Sequence, residues 1–368
     1  MRTTTRAALA LAATATLTIS SAAAAAPGRN NMQADAERST AGASVFKVNP
    51  VQSSGDQTLT DQKDSATAVP VDEYAPVDLT RLDGSGYLRG DWVTVESSTG
   101  KAAYSATGSY LYNRAEDQFE QVMAYFWITR AQDYLQGLGF GSTLPGVMDE
   151  QIAVKINQLG GDNSYQTDKP FRLRFGKGGV DDAEDAEVIV HEYGHAIQAD
   201  QVPGYGTSFD ARVIGEGFSD YLAVSVGLAV SADEGWDTRP DNDPYETSRG
   251  WEAEACFADW DATEVSPLPV KCLRRLDQTF TTADRTGDLY RESMIWSGAL
   301  WQIRKAYEDL GVGSAAWDTT LIVSQFGYAP GTSFAAAAQQ AVDTAAQRDG
   351  TAAADAVRAE FVERGILS

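Results

Sequence analysis

The sequence predicts an α+β fold with a β-rich amino-terminal lobe, a central helix and a mainly helical carboxy-terminal lobe. Short runs of strand-forming residues, separated by Gly and Ser turns, indicate strands in residues 77–112 and again in residues 150–179. Residues 180–200 change to the three- and four-residue apolar spacing of a helix, and helical patterns fill most of the chain after residue 289. Strands first and helices afterwards are typical of the α+β class.

The first 26 residues have the pattern of a secretory signal peptide. Arg2 and Arg6 form a basic start, an apolar run of Ala, Leu and Thr follows, and the small residues around Ala25 and Ala26 offer cleavage sites. A membrane anchor is the alternative, but the run ends in cleavable small residues. Because no later apolar run looks long enough to span a bilayer, we expect a secreted, extracellular protein without a membrane span.

Residues 27–70 are rich in Ser, Thr, Gln, Asp and Gly and poor in aromatic residues. We expect a loosely ordered lead-in or a short pro-region there, with one strand at residues 45–51. The β-rich lobe and the central helix then occupy residues 71–200, including a long helix at residues 115–140. The mainly helical lobe takes up residues 201–368, and we expect a monomer.

Composition limits the classes of partner. Of the 368 residues, 43% are hydrophobic, which is enough for a substantial globular core. The formal net charge is −23 and the pI is near 4.4. Nucleic-acid binding needs clustered Lys and Arg to neutralise phosphates, so this charge argues strongly against it.

The two cysteines, Cys256 and Cys272, would close a short loop. An oxidising compartment favours their pairing, so we expect a disulfide. Two buried free thiols are the alternative. Neither cysteine has a histidine to spare as a partner, which argues against a Cys–His nucleophile.

The segment VIVHEYGHAIQ, residues 188–198, contains both histidines of the chain. Residues four apart on a helix project from one face, so His191 and His195 can bind a single metal ion. Glu192 lies to the side, where it can reach a water on the metal without ligating the metal itself. H-E-x-x-H on a helix is the signature of zinc hydrolases. Its place on a predicted helix and its use of both histidines argue against a chance match.

A zinc site of this kind needs a third protein ligand and leaves a fourth place for water. No histidine is left, so a carboxylate must serve, and Glu216 in GEGFSDYLA is the best candidate. Asp220 lies one turn further on the same face of the next predicted helix, where it can accept the free ring N–H of His191 and fix its tautomer. A surface residue or a helix-start acid is the alternative for Glu216.

HEYGH followed by GEGFSD resembles the gluzincin metallopeptidases of the thermolysin and fungalysin kind, with fungalysin the nearer. The resemblance implies a thermolysin-like two-lobed fold and a zinc-dependent endopeptidase acting on protein or peptide substrates. It implies that His191, His195 and Glu216 ligate one catalytic zinc ion and that Asp220 orients His191. It also implies that Glu192 is the general base toward the attacking water and then the proton donor to the leaving amine.

The same resemblance suggests residues that contact the substrate. Asn163, in the run NSY, looks like the family's position for binding the substrate backbone, and the strand after it could pair with an extended peptide. Family members usually stabilise the oxyanion with a histidine of the carboxy-terminal lobe, which this chain lacks. Tyr290 lies near that position and Tyr205 near another oxyanion-stabilising position, so either phenol could donate instead. Ordinary packing is the alternative for both tyrosines.

Two acidic runs could provide ligands for a Ca2+ site. The alternative is that they are solvent-exposed loops that bind no cation. Residues 233–243 form one run. The other precedes the first histidine and comprises Asp181, Asp182, Asp185 and Glu187. In that run, Asp181 or Asp182 could cap the predicted helix. The candidates for contact with a substrate carbonyl are Arg249, Arg285 and Arg291.

The leading hypothesis is therefore a secreted zinc endopeptidase that hydrolyses peptide bonds by a metal-activated water, with Glu192 as general base. A zinc aminopeptidase would use the same metal set, although the chain has no recognisable Gly-rich exopeptidase motif. A secreted, non-catalytic zinc-binding surface protein is the third hypothesis, suggested by the missing histidine. A purely structural site, however, has no use for Glu192 as a base.

Overall fold

The computed structural model describes residues 41–96, 99–238 and 244–368. The predicted signal peptide, residues 1–26, and the start of the predicted lead-in lie outside these residues. The described residues lie within one compact unit that combines small β-sheets with long helices. The predicted α+β class is confirmed, whereas the predicted domain boundaries stay predictions.

The strands of the described chain form three sheets. They are β1 (Ala41–Phe46), β2 (Tyr74–Leu79), β3 (Val93–Val95), β4 (Ser109–Tyr110), β5 (Ile152–Leu159), β6 (Tyr165–Thr167), β7 (Arg172–Gly176), β8 (Cys256–Phe257) and β9 (Arg274–Arg275). The first sheet has the order β2-β1-β4, with β1 antiparallel to β2 and parallel to β4. The second has the order β3-β5-β7-β6, and the third is the antiparallel pair of β8 and β9.

The second sheet ends at β6. Strands β3, β5 and β7 are parallel, and β6 pairs antiparallel with β7, with Tyr165 opposite Arg174 and Thr167 opposite Arg172. The other edge of β6 carries no further strand in the described part of the chain. An unpaired strand edge leaves backbone N–H and C=O groups available to another extended chain.

The α-helices of the described residues lie mostly in the second half of the chain. They are α1 (Pro50–Ser54), α2 (Asp117–Gly137), α3 (Ala186–Gln201), α4 (Phe209–Glu234), α5 (Pro244–Thr247), α6 (Leu289–Asp309), α7 (Ser314–Gln325), α8 (Phe334–Arg348) and α9 (Thr351–Glu363). Helix α2 is the long helix predicted at residues 115–140. Helix α3 packs against both α2 and α4, and α4 also packs against α6, so α3 and α4 lie at the centre of the fold.

The chain between residues 41 and 70 is more ordered than the sequence suggests. Strand β1 is the middle strand of its sheet, and both Val45 and Phe46 have no exposed surface. The ring centres of Phe46 and of Phe119 on α2 lie 4.7 Å apart. The strand ends at Phe46 and does not continue to residue 51, because Val48 adopts a positive φ of 67°. A polar composition does not prevent ordering where a few apolar residues reach the core.

A buried arginine joins this early segment to the turn that precedes α3. Arg114 Nη2 lies 2.5 Å from Asp61 Oδ1 and 2.8 Å from Glu184 Oε2, and the Arg114 side chain has no exposed surface. The guanidinium carbon also lies 5.2 Å from the ring centre of Trp260. Arg114 therefore fixes the segment at Asp61 against the start of the central helix.

Helix α4 overturns one prediction. By length and composition this helix could cross a membrane, so the statement that no later apolar run is long enough was wrong. However, 83% of the residues in its most apolar window are buried inside the fold. A core helix surrounded by protein on most sides is also apolar on most sides.

Candidate metal centre

Helix α3 begins at Ala186, and its N-cap is Asp185. The side chain of Asp185 accepts a hydrogen bond of 2.9 Å from the backbone N–H of Glu187. The prediction that Asp181 or Asp182 caps this helix was wrong, because Asp182–Glu184 forms a separate 3-10 turn before it. Asp185 thus sets the start of the helix that carries both histidines.

Helices α3 and α4 approach each other closely at Gly194. A Cβ atom at Gly194 would lie 2.8 Å from Ser219 Oγ and 3.0 Å from Ser219 Cα. On α4, a Cβ at Gly217 would lie 2.6 Å from the carbonyl oxygen of Ser293 on α6. The absence of these side chains lets the three helices meet, and it brings Glu216 up to the histidines.

The predicted metal ligands come together at this contact. His191 Nε2 lies 3.4 Å from Glu216 Oε2, and His195 Nε2 lies 3.6 Å from Glu216 Oε1. One potential ligand atom from each of the three side chains lies within 4.8 Å of the others. Two imidazoles from one helical turn and a carboxylate from a second helix form the donor set of a catalytic zinc site.

The second ring nitrogen of each histidine has its own neighbour. His191 Nδ1 lies 2.9 Å from Asp220 Oδ1, as the sequence predicts. His195 Nδ1 lies 3.2 Å from Ser219 Oγ. Contacts at Nδ1 orient both rings and leave Nε2 for the metal. The residues therefore fit a zinc ion in donor type, number and ring orientation.

Asp220 is held in turn by Arg274, which was not among the residues predicted from the sequence. Arg274 donates from Nε to Asp220 Oδ2 at 2.6 Å and from Nη2 to Asp220 Oδ1 at 2.7 Å. Burial opposes ionisation of Asp220, but the charge and hydrogen bonds of Arg274 outweigh it and lower the pKa of Asp220. Asp220 therefore stays charged, with one oxygen toward His191 and both in contact with Arg274.

The environment sets different protonation equilibria at the three ligands. Burial opposes protonation of His191, but Asp220 and Glu216 outweigh it and raise the pKa to about 9. Burial lowers the pKa of His195 to about 4. Burial opposes ionisation of Glu216, yet His191 and His195 lower its pKa well below the ordinary range. A metal ion would displace the proton of His191, since only neutral imidazole can ligate.

Glu192 lies beside the ligands and is 6% exposed. Burial raises the pKa of Glu192 to about 7. Its Oε2 atom has no hydrogen-bond partner among the described residues. Glu192 is thus a buried carboxyl group next to the candidate metal ligands, and among the described residues no group forms a hydrogen bond with its Oε2 atom.

The ligands and Glu192 open onto a cleft of about 540 Å³. Its walls come from β6 and the residues before it, from α3 and α4, from the β8–β9 region and from the start of α6. Asn163, just before β6, and Tyr165, within β6, line it as well. Tyr290, which is 52% exposed, lines it near Arg274, whose guanidinium carbon lies 5.2 Å from the Tyr290 ring centre.

Other residues selected from the sequence lie elsewhere. Tyr205 is not among the described residues that line the cleft, and its hydroxyl group is buried. The three candidate arginines are outside the cleft as well. Arg249 lies over the ring of Tyr245, Arg285 pairs with Asp210 and Glu292, and Arg291 lies over the ring of Phe280.

Arg274 is the arginine of the cleft, and a sequence signal for it existed. The charged Asp220 predicted behind His191 calls for a buried cation as well, and Arg274 follows Cys272 in the predicted disulfide region. Cys256 and Cys272 do form a disulfide, with their Cα atoms 5.4 Å apart. This cross-link adjoins the β8–β9 pair at which Arg274 lies.

The acidic run before the histidines does not gather as one cation site. Asp185 accepts from Asn49 Nδ2 at 3.2 Å, and Glu187 accepts from the backbone N–H of Ala258 at 2.7 Å. Asp182 alone of the four belongs to a group that could hold a cation. Part of the second run, residues 233–243, lies outside the described residues.

Comparison with solved structures finds chains that are similar to this one. No protein-family model matches the chain, and no curated protein matches it. The chain is similar to the solved structure of the precursor of protealysin, a metalloproteinase from Serratia proteamaculans. The identity is 15%, the TM-score is 0.48, and the similarity covers 74% of this chain and 86% of that chain. The likeness to gluzincins and fungalysin stays a prediction, and the function proposed below depends on the geometry of the site.

Proposed function

We propose that this protein is a secreted zinc-dependent endopeptidase that hydrolyses internal bonds of protein or peptide substrates. The proposal depends on one juxtaposition: His191, His195 and Glu216 meet beside the buried Glu192, and all four line one cleft. A structural zinc site is closed and has four protein ligands. This site offers three ligands, an open side and a carboxyl group positioned beside them.

The roles of the residues follow from their chemistry. Zinc held by His191, His195 and Glu216 would lower the pKa of a water molecule and polarise a carbonyl oxygen. Glu192 would take a proton from the attacking water and deliver it to the leaving amine. Asp220 would keep His191 in the tautomer that presents Nε2 to the metal.

The substrate backbone would lie along the unpaired edge of β6. Tyr165 and Gln166 of that strand line the cleft, and Asn163 lies just before it. An extended peptide can add to such an edge through backbone hydrogen bonds. Because the wall follows a strand, the cleft suits a chain that continues beyond the scissile bond on both sides, which supports an endopeptidase.

Two donors that line the cleft suit the developing negative charge. Arg274 uses Nε and Nη2 for Asp220, which leaves Nη1 among its donors. Tyr290 offers a phenol at the mouth of the cleft, in place of the histidine that the family uses. Donors aimed at an oxyanion contribute to catalysis because they are positioned before the reaction begins.

The aminopeptidase alternative has one observation in its favour. Three carboxylates, those of Asp162, Asp182 and Asp261, also line the cleft, and carboxylates can hold the amino group of a substrate. An endopeptidase cleaves substrates whose amino terminus is blocked, whereas an aminopeptidase does not. Blocked and free peptides therefore separate the two functions.

The first experiment is an assay of the purified protein on casein and on an internally quenched, N-acetylated peptide. We expect cleavage of both, loss of cleavage with 1,10-phenanthroline, and recovery on addition of zinc. Glu192→Gln should lower kcat by about 10²–10⁴-fold, as expected for loss of a general acid–base. The variant should still bind zinc at the wild-type stoichiometry, measured by metal analysis.

The other outcomes identify the alternatives. Cleavage restricted to peptides with a free amino terminus would indicate an aminopeptidase. Stoichiometric zinc without cleavage of any of these substrates, in wild type and Glu192→Gln alike, would indicate the non-catalytic zinc-binding protein.

A further inference from the structure

Three aspartates from distant parts of the chain converge beside the metal centre. Asp162 precedes β6, Asp182 lies in the turn before α3, and Asp261 lies between the two cysteines of the disulfide. One carboxylate oxygen from each lies within 4.8 Å of the others. All three residues line the same cleft as the candidate zinc ligands but share no residue with them.

Two of these carboxylates are buried and have an oxygen without a partner. Asp182 is 2% exposed and Asp261 is 4% exposed. Ser164 donates to Asp182 Oδ2, but Asp182 Oδ1 and Asp261 Oδ1 have no hydrogen-bond partner in the described part of the chain. A buried carboxylate without a partner is costly, so such groups usually have a cation or are protonated.

Among the described residues, no Lys or Arg forms an ion pair with any of the three carboxylates, although the charge of Arg274 opposes the rise in the pKa of Asp261. Arg274 is the arginine of the cleft, and its Nε and Nη2 donate to Asp220. Burial, with the charge of Asp162, raises the pKa of Asp182 to about 6. Burial, with the charges of Asp182 and Asp162, raises the pKa of Asp261 well above its ordinary value. These shifts are those of acidic groups crowded together without a counter-ion.

We propose that Asp162, Asp182 and Asp261 bind a second metal ion, a hard divalent cation of the Ca2+ class, which joins three walls of the cleft. Carboxylate oxygens from separate segments are the ligands that Ca2+ takes, with waters completing the coordination. Asp182 Oδ1 and Asp261 Oδ1 have almost no solvent-accessible surface, and a single small ion held between the carboxylates can contact both.

This cation would position β6, the proposed substrate-binding strand, relative to α3, the helix of both histidines. Asp162 is the residue before Asn163 and lies close to β6, while Asp182 precedes the helix of His191. The loop of Asp162 is already pressed against the segment after β7, since a Cβ at Gly178 would lie 2.3 Å from the backbone nitrogen of Asp162. Gly178, which has no side chain, thus permits a close backbone approach.

The test measures cation binding without any assay of activity. Zinc-loaded protein is freed of other metals, and the thermal midpoint is followed as Ca2+ or Mg2+ is added, with Ca2+ stoichiometry from calorimetry. We expect one Ca2+ per chain and a rise in Tm on the order of 5 °C at about 100 times Kd. Mg2+ should give a smaller shift, because it requires near-octahedral geometry and gives up its waters reluctantly.

Asp261→Asn provides the decisive variant. It should abolish the Ca2+-induced shift and leave the Tm without Ca2+ equal to or above that of wild type, because one of three repelling charges is gone. The matched control is Asp168→Asn, which removes an exposed charge at the end of β6 and should keep the full Ca2+ shift.

The suggested role of the cation in positioning β6 for substrate rests on the proposed peptidase function, whereas cation binding itself does not. The outcomes therefore test the cation site separately from the peptidase. Glu192→Gln should retain the whole Ca2+ response even though it is inactive. The cation site is overturned if Ca2+ changes the Tm of wild type and Asp261→Asn equally or not at all. It is also overturned if the sole effect of Asp261→Asn is to change the preference among substrates with free amino termini or basic side chains.

Discussion

Tyr290 and Tyr205 place the same phenol in different surroundings. Tyr290 stands at the mouth of the cleft beside Arg274 and is half exposed. Tyr205 packs against the core, with its hydroxyl group buried away from the cleft. Of the two tyrosines, Tyr290 alone lines the cleft among the described residues, so Tyr290 is the proposed oxyanion donor, although both were equal candidates in the sequence.

Replacing each tyrosine by phenylalanine tests this difference. Tyr290→Phe should lower kcat by about 10²-fold with little change in KM, because an oxyanion donor acts mainly in the transition state. Tyr205→Phe is the matched control and should leave kcat within about twofold of wild type. Steady-state kinetics on the quenched peptide measures both, and equal losses would show that Tyr290 has no special role.

The sequence predicts site residues where local geometry is enough. His191, Glu192 and His195 follow from the period of a single helix, and Glu216 with Asp220 follows from the next helix. Asp220 called for a buried cation, but nothing in the sequence singled out Arg274 to supply it. Asp162 and Asp261 were not selected either, because their contacts with Asp182 depend on how distant loops close over the cleft. Those contacts are set by tertiary packing, for which the sequence has no short-range pattern.

Helix contacts decide whether the ligands can meet. Glu216 reaches the histidines because α4 lies close against α3 at Gly194, where a Cβ would be 3.0 Å from the backbone of Ser219. In the sequence this glycine is merely one of the variable positions within H-E-x-x-H. The helices themselves were predictable from apolar spacing, whereas their exact starts were not, since Asp185 caps α3 in preference to two earlier acids.

Gly194→Ala should weaken the metal site. The added methyl group must push α4 away from α3, so we expect a loss of about 1–3 kcal/mol in the free energy of unfolding. We also expect zinc affinity to fall by about 10-fold or more, since the ligands and the groups behind them move apart. Urea unfolding and competition with a zinc chelator measure the two effects.

Gly227→Ala, also within α4, is the control for this substitution. A Cβ there would lie 3.7 Å from Val48, which is ordinary contact, so better helix propensity should leave stability unchanged or raise it by up to about 1 kcal/mol. If both alanine variants bind zinc as wild type does, the close approach at Gly194 is not what holds the ligands together.

Over the whole molecule, the early segment and the metal centre form one structure. β1 is the middle strand of its sheet, and Asp61 pairs with Arg114, which also pairs with Glu184 just before α3. The prediction of a loosely ordered lead-in was based on composition, which does not reveal that a polar segment completes a distant buried ion pair. Residues 41–70 therefore contribute to the stability of the domain that carries the site.

Arg114→Met tests that connection. It leaves Glu184 and Asp61 without their cation in a buried position, so we expect a loss of about 3–5 kcal/mol in the free energy of unfolding, measured with urea at neutral pH. Arg130→Met on α2 removes the more exposed pair with Asp233 of α4 and should cost less than about 1 kcal/mol. Adding Glu184→Leu to Arg114→Met should restore part of the loss, because an apolar residue leaves fewer buried charges unpaired. If Arg114→Met lowers the free energy of unfolding no more than Arg130→Met does, residues 41–70 and α3 are not coupled through this ion pair.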